Sequence, residues 1–410
     1  MPGRTDTWEK LAITFLFLFT FMTGVSISSA YICFFLGIVF LFILLMTKRK
    51  ALFRSPLDEP FLLFVLFSLL SIGSSLAPKE SLIEARSLFL ILIFYLFYIL
   101  VDKKSLARRL TITFVIAGAV TGGYGIIQRL SGFDLLKHYH GRATGFFSLY
   151  LTLAEYLVIT LSLTLGLILY SRGVKWKILL LPFLGVMLLG FTFTYSRGGW
   201  LGLMGSLITL GWLKNRRALG IILLVLIGMN LAFFFLPLGR VSLILHSLVD
   251  IKKGEEPGLR GAYLQSSKER LLMWQSGFAI LSAKPHLLLT GIGMHALPSI
   301  YPEFRGEPTV HSNLWHLHSN LMQMLVSRGL LGLTAFLLIF IIYFKSALSG
   351  FQLSERGGEK GIIAGCIAGL VGFFISGLTE YNWGDTEVLM TVYAILGISL
   401  AVARLNKERG

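Results

Sequence analysis

Three of the chain's 8 histidines, His311, His316 and His318, crowd one short segment that closes on Trp315-His316-Leu317-His318-Ser319-Asn320. Imidazole titrates near neutral pH and can take a proton from a hydroxyl at modest cost. Metal binding is the rival use, but the spacing lacks the i,i+4 helical pair and nearby carboxylate of a zinc hydrolase. Interfacial hydrogen bonding without chemistry is the plain alternative. Arg270 opens an amphipathic helical stretch, Glu269 to Gln275, that puts Arg270 and Trp274 on one face. Its flat guanidinium suits bidentate phosphate recognition, or else a surface ion pair with Glu269. Arg197 lies in Thr194-Tyr195-Ser196-Arg197-Gly198-Gly199-Trp200, between two apolar runs that leave almost no loop. A charge at a membrane face needs a partner, water or a polar cavity, unless it snorkels beside the tryptophan. Glu380, Asp385 and Glu387 make the segment Thr379–Glu387 purely acidic. Such carboxylates can orient arginines, bind sugar hydroxyls or simply face water. No Walker loop, dinucleotide glycine pattern, nucleophile elbow or D-x-D motif stands in a suitable context, which disfavours soluble nucleotide-driven chemistry.

The elements that must position these groups are membrane spans. The chain is 55% hydrophobic and 14% charged, and its apolar runs repeatedly reach the length that crosses a hydrocarbon core of about 30 Å. The expected fold is an all-α integral membrane protein with about twelve spans, near 11–27, 29–46, 60–77, 87–101, 110–128, 144–170, 178–195, 199–213, 218–236, 329–349, 361–379 and 387–403. The runs around 87–101 and 199–213 are short for the task. Organisation follows as residues 1–236 with nine spans, a polar insert at 237–328, and residues 329–410 with three more. The first span, from Leu11, is expected to be retained and not cleaved as a signal peptide.

Charge orients the spans. Sorted onto alternating sides, twenty-two of the 37 Lys and Arg fall on the side of the termini. The short loops opposite hold only Lys79, Arg86, Arg129, Lys137, Arg142 and Arg197. By the positive-inside rule both termini are cytoplasmic and the insert lies outside. The net charge of +16 is therefore mostly topogenic, and no nucleic-acid partner is needed to explain it. Cys33 and Cys366, the only cysteines, sit inside apolar runs and imply neither a disulfide framework nor a thiolate metal site.

Several separated segments together resemble the O-antigen ligase and O-antigen polymerase superfamily of bacterial envelope glycosyltransferases. They are Arg142-Ala-Thr-Gly145-Phe, Tyr195-Ser-Arg197-Gly-Gly-Trp200, Arg270 with Trp274, and Pro285 with Gly291-Ile-Gly293. They continue with His316-Leu-His318 leading to Gln323, Gly329-Leu-Leu-Gly332, and Glu380-Tyr-Asn-Trp-Gly-Asp385-Thr-Glu387. Their order and spacing cover the chain from about 142 to 390. The resemblance implies a glycosyltransferase C-type architecture, with a helical periplasmic insert carrying part of the active site at the outer face of the bacterial inner membrane. It implies that Arg197 and Arg270 bind the diphosphate of an undecaprenyl-linked glycan and that His318 activates the acceptor hydroxyl. His318 is preferred to His316 because the family histidine stands five residues before the glutamine matched by Gln323. Ser319 departs from the pattern, where asparagine often follows the histidine; Asn320 is the candidate substitute. Substrate contacts are expected from Arg142, Tyr195, Trp274, His316, Asn320, Glu380 and Asp385.

The implied reaction is a ligase's: metal-independent, cofactor-free, inverting transfer of a preassembled glycan from undecaprenyl diphosphate to a sugar hydroxyl of lipid A-core. A polymerase of the same superfamily, joining lipid-linked repeat units, is the nearest rival. A lipid-linked sugar transporter or flippase should show internal repeats or paired broken helices, and no clear repeat is present. A non-catalytic assembly scaffold would tolerate alanine at His318, Arg197 and Arg270.

Overall fold

The apolar runs do become helices. In a computed structural model, which describes residues 7–137, 141–235, 259–305, 314–355 and 357–408, the described residues form helices and turns and no strand. In order these are α1 (Thr7–Met22), α2 (Ile27–Met46), α3 (Asp58–Gly73), α4 (Pro78–Glu84), α5 (Ile91–Leu100), α6 (Lys104–Ser131), α7 (Tyr150–Tyr170), α8 (Val174–Thr192), α9 (Arg197–Lys214) and α10 (Arg216–Phe235). Then follow α11 (Leu259–Ala283), α12 (Leu297–Phe304), α13 (Asn320–Leu353), α14 (Gly358–Ser376) and α15 (Thr386–Lys407). Eight helical stretches among the described residues are long and apolar enough to cross a membrane: α2, Pro78–Leu100, α6, α7, α8, α13, α14 and α15. The chain is an all-α membrane protein. Large apolar side chains such as Ile32, Phe35, Phe42, Leu62, Leu66, Ile178 and Leu224 face outward, an arrangement that hydrocarbon satisfies and water does not.

The bundle is organised around α7, α14 and α15, whose residues are buried along most of their length. The interface of α7 with α14 and that of α9 with α14 use small residues, which let the backbones touch. Of the twelve expected spans, those near 11–27, 60–77, 199–213 and 218–236 are not among these eight, and three others differ in extent. The span expected at 87–101 begins at Pro78, because α4, a 3-10 turn over Ala85–Leu90 and α5 run on from one another. The span expected at 144–170 starts at Tyr150; the preceding loop is held instead by the Gln128 carboxamide, whose Oε1 accepts from the N–H groups of Thr144 (3.0 Å) and Gly145 (2.9 Å). The span expected at 329–349 is the far part of α13. This helix runs from Asn320 through a break at Gly329 (φ 68°, ψ −171°). A Cβ at Gly329 would collide with the carbonyl of Leu289, so glycine is demanded there by both conformation and space.

The two ends of the bundle differ in charge. At one end Lys50 meets Glu9 (3.1 Å) and Asp102 (2.6 Å), Lys104 meets Glu359 (3.0 Å), and Arg404 donates to the carbonyl of Val101 (3.2 Å). Lys214 donates to the carbonyl of Leu169 at this same end (2.7 Å). The start of α9, the end of α14 and the start of α15 therefore lie at the other end. There α11, the turn Pro285–Leu288 and α12 build a small second core, in which Met273, Ile280, Leu297, Tyr301 and Leu317 pack with Val326 of α13 and with Ala77. Main-chain bonds fasten this core to the bundle: Ile292 N–H to the Val326 carbonyl (2.9 Å), Gly293 N–H to that of Ser327 (3.1 Å) and Leu331 N–H to that of Leu289 (3.2 Å).

Candidate active site

One carboxylate organises the end of the bundle opposite the lysines. Glu380 follows α14, and its backbone N–H still bonds to the Ser376 carbonyl (3.0 Å). Only 4% of the residue is exposed. Its Oε1 accepts from Nη2 of Arg270 in α11, and its Oε2 faces Nδ1 of His318 at 3.3 Å. Arg270 and His318, which the sequence picked out separately, thus meet on an acid 110 and 62 positions away along the chain. Glu380 is a partner of Arg270 from a different element. A carboxylate at Nδ1 requires that nitrogen to carry the proton, which leaves Nε2 of a neutral His318 as a base. The same carboxylate would stabilise the imidazolium once a proton is taken up.

His318 is held in an unusual conformation. Its φ of 46° is the left-handed region, which costs an L residue about 1–2 kcal/mol. The neighbours supply the restraint. Trp274 Nε1–H donates to the Leu317 carbonyl (2.8 Å), and the Leu317 N–H donates to Gln323 Oε1 (3.0 Å). Trp274 lies one turn beyond Arg270, so one helix both supplies the cation and pins the histidine loop. The His316 ring stands 4.3 Å from that of His318 and 5.5 Å from that of Tyr381. Burial, with His318 beside it, lowers the His316 imidazole to about 4. It is neutral at pH 7, and its Nδ1 can accept from the His318 N–H at 3.4 Å.

α9 brings the third element. Ser196 caps it, its hydroxyl accepting from the Gly199 N–H (3.1 Å), and Tyr195 turns the chain with φ 51°. Gly198 lies against Glu380: a Cβ there would stand 2.9 Å from Glu380 Cγ. The start of α9, with the exposed Arg197 as its first residue, therefore borders the Arg270–Glu380–His318 cluster. Arg142 covers the ring of Tyr150 at 4.5 Å. Its loop is tied towards α9 by a bond from the Ala143 N–H to the Phe193 carbonyl (2.9 Å).

Beneath the cluster runs a buried polar chain. Asn320, first residue of α13, donates from Nδ2 to Asn382 Oδ1 (2.6 Å) and accepts the Trp383 N–H on its Oδ1 (3.1 Å). Its own N–H bonds the Gly377 carbonyl (2.7 Å). Asn382 in turn donates to Glu155 Oε2 (3.2 Å), which also accepts from the Ser376 hydroxyl (2.6 Å). Glu155 is 1% exposed within α7. The sequence reading passed over it, although a lone acid in an apolar run is a recognisable signal. Arg328 was also missed: it was counted with the insert, yet it is a buried side chain of α13 that donates from Nε to Ser68 Oγ (3.0 Å). His311 falls outside the described residues.

Asp385 sits apart from the cluster but on the same segment, accepting from the Thr152 hydroxyl (3.0 Å). Burial pushes its carboxyl up from 3.8 to about 7; the nearby carboxylates of Glu387 and Glu380 add to the rise, and the Thr152 hydroxyl opposes it. A carboxyl with a raised folded pKa costs nothing below about pH 4, where both states are protonated; the cost grows as the unfolded state ionises and is complete above about pH 7. Asp385→Asn is thus expected to raise the thermal unfolding midpoint at about pH 8 and to leave it unchanged near pH 4. An equal midpoint at pH 8 would mean that the carboxylate ionises in the folded protein at no cost.

Residues 182–337 match the family model described as O-Antigen ligase. The match begins in α8 and ends in α13, taking in Arg197, Arg270, His316, His318 and Asn320 and stopping short of Glu380 and Asp385. Comparison with curated proteins gave no match. The stretch that matches is also the one that carries the arginine at the start of α9, the arginine of α11 and the histidine loop, and over these residues, 182–337, this multi-pass helical membrane protein is similar to the O-antigen ligase family.

Proposed function

We propose that the chain is a membrane glycosyltransferase of the ligase type, moving a preassembled glycan from undecaprenyl diphosphate to a sugar hydroxyl of lipid A-core. In this reading twelve spans hold it in the bacterial inner membrane with both termini cytoplasmic, and the insert completes an active site on the periplasmic face. The observation that carries the reading is the Glu380 carboxylate between Arg270 and His318, with the start of α9 against it. A cation for a diphosphate and a base for a hydroxyl, from two different elements, meet on one carboxylate, as glycosyl transfer from a lipid diphosphate can use.

The steps follow from these groups. Arg197 and Arg270 take the donor diphosphate, Arg270 sharing its guanidinium between Glu380 and a phosphate oxygen. Nε2 of His318 removes the proton of the acceptor hydroxyl as its oxygen bonds to the anomeric carbon. The bond from that carbon to the phosphate oxygen breaks on the opposite face, inverting the centre, and the pair of electrons leaves with undecaprenyl diphosphate. The departing charge is stabilised by guanidinium groups already in place, and Glu380 balances the imidazolium. Arg142, Tyr195, Trp274, His316, Asn320 and Asp385 shape the pocket around donor and acceptor. No step calls on a cofactor.

Reconstitution with lipid-linked glycan and lipid A-core, followed by mass analysis, tests the reading. Glycan on lipid A-core is expected. A ladder of repeats on undecaprenyl diphosphate would make the enzyme a polymerase, and movement of donor across vesicles with no new glycosidic bond would make it a transporter. Gly198→Ala supplies a local check. Alanine is the better helix former by about 1 kcal/mol, so the variant should fold, yet its methyl must displace Glu380. Transfer is expected to fall about tenfold, the cost of roughly 1.4 kcal/mol in the barrier, with the unfolding midpoint near that of the parent. A parental rate would separate Glu380 from the chemistry.

A further inference from the structure

At the lysine-rich end, far from the candidate active site, the first turns of α6 open a cleft of about 390 Å³ lined by Lys104, Arg108, Arg109, Trp176 and Glu359 among others. A second hollow of about 160 Å³ shares Arg108 and Trp176 with it and continues between α6, α7 and α8 along Val115, Leu167, Leu180 and Phe183. The two make one feature, cationic at its mouth and apolar within. Glu359 is the one acid in the lining among the described residues, and it is bonded to Lys104 at 3.0 Å. Arg108 and Arg109 are therefore the charge that the mouth presents. The Arg108 guanidinium is laid over the Trp176 ring at 4.4 Å. Ile116, Trp176 and Leu179 are exposed on the flank, so the channel opens towards the surrounding hydrocarbon and not along the bundle axis.

A topogenic surplus of cations explains how many basic residues stand at this end. It does not explain two guanidinium groups at the mouth of an apolar hollow of about 160 Å³. We propose that this cleft binds one anionic glycerophospholipid of the surrounding bilayer, its phosphate between Arg108 and Arg109 and an acyl chain in the channel. Planar guanidinium pairs a phosphate through two parallel N–H donors, and basic pockets between spans are suited to acidic head groups. A choline head group would add a cation beside Lys104 and Arg108. The aromatic face that could receive it is already covered by Arg108.

Native mass spectrometry of the purified full chain, exposed to equimolar dioleoylphosphatidylglycerol and dioleoylphosphatidylcholine, tests the proposal. The parent is expected to retain one phosphatidylglycerol in preference to phosphatidylcholine. Arg108→Gln with Arg109→Gln should weaken that retention roughly thirtyfold, the change for two basic groups at about 1 kcal/mol each. Arg109→Gln alone alters an exposed side chain and keeps the test valid if the double variant fails to fold; about fivefold is expected. Lys48→Gln, an exposed cation at the same end outside the cleft, should leave retention unchanged. Undiminished phosphatidylglycerol in the folded Arg108 and Arg109 variants would overturn the proposal. So would equal loss in Lys48→Gln, which would mark a diffuse charge effect, or displacement of the lipid by millimolar inorganic phosphate, which would mark a free-anion site.

Discussion

His318→Ala is expected to slow glycan transfer by about 10²–10⁴-fold, the usual share of a positioned general base, while donor binding stays near the parental value. The expectation rests on Nδ1 of His318 lying 3.3 Å from Glu380 Oε2, which assigns the proton to that nitrogen and leaves the other as the base. Glu380→Gln sharpens it. A carboxamide can present its N–H₂ to Nδ1 and so stabilise the wrong tautomer, and it can no longer balance an imidazolium. Its loss should approach that of His318→Ala, and the two together should lose little more than either one, because they act as a unit. A single-turnover assay with lipid-linked donor reads both. Parental rates in His318→Ala would leave the histidine with a structural part only.

Arg270→Ala should cost about 10²–10³-fold in turnover, the range for removing one preorganised donor to developing charge. It also strips Glu380, 6% exposed at its side chain, of its cation. Leaving a buried charge uncompensated is destabilising, so activity and unfolding midpoint should fall together. Arg270→Ala with Glu380→Gln isolates the stability loss: removing the orphaned charge should restore the midpoint, while transfer stays low because Glu380→Gln by itself already lowers it. Parental transfer in Arg270→Ala with a lowered midpoint would make Arg270 a counter-ion and nothing more. Arg270→Lys keeps the charge but not the two-pronged geometry, and an intermediate rate is expected from it.

Helices were legible in the sequence because a span is a local property: a long apolar run has no other stable form in hydrocarbon. In the structure the helix that carries the run expected at 329–349 starts earlier, at Asn320, with Ser319 as its cap. Where boundaries moved, a tertiary contact moved them. The loop before Tyr150 stays irregular because Gln128, on another helix, satisfies its N–H groups. Arg270 and His318 could be chosen one by one for their chemistry, but nothing within either segment names Glu380 as their common partner. The acidic segment 379–387 suggested carboxylates that orient arginines, and Glu380 is bonded in that way; which acid and which arginine depended on how α11 packs across the end of α14. Glu155 was the opposite case, since its oddity was plain in the run around it and its connection through Asn382 and Asn320 to the histidine loop was not.

The main-chain bonds that join Leu289, Ile292 and Gly293 to Leu331, Val326 and Ser327 on the two sides of Gly329 involve no group that ionises and none that salt can screen. Acid, base and ionic strength can each rearrange the contacts of Arg270, His316 and Asp385 while this seam stays as it is. The footing of the histidine loop on the bundle is thus set by peptide geometry, with Trp274 and Gln323 holding the loop upon it. The cluster can pass charge during a reaction cycle while that footing keeps its place.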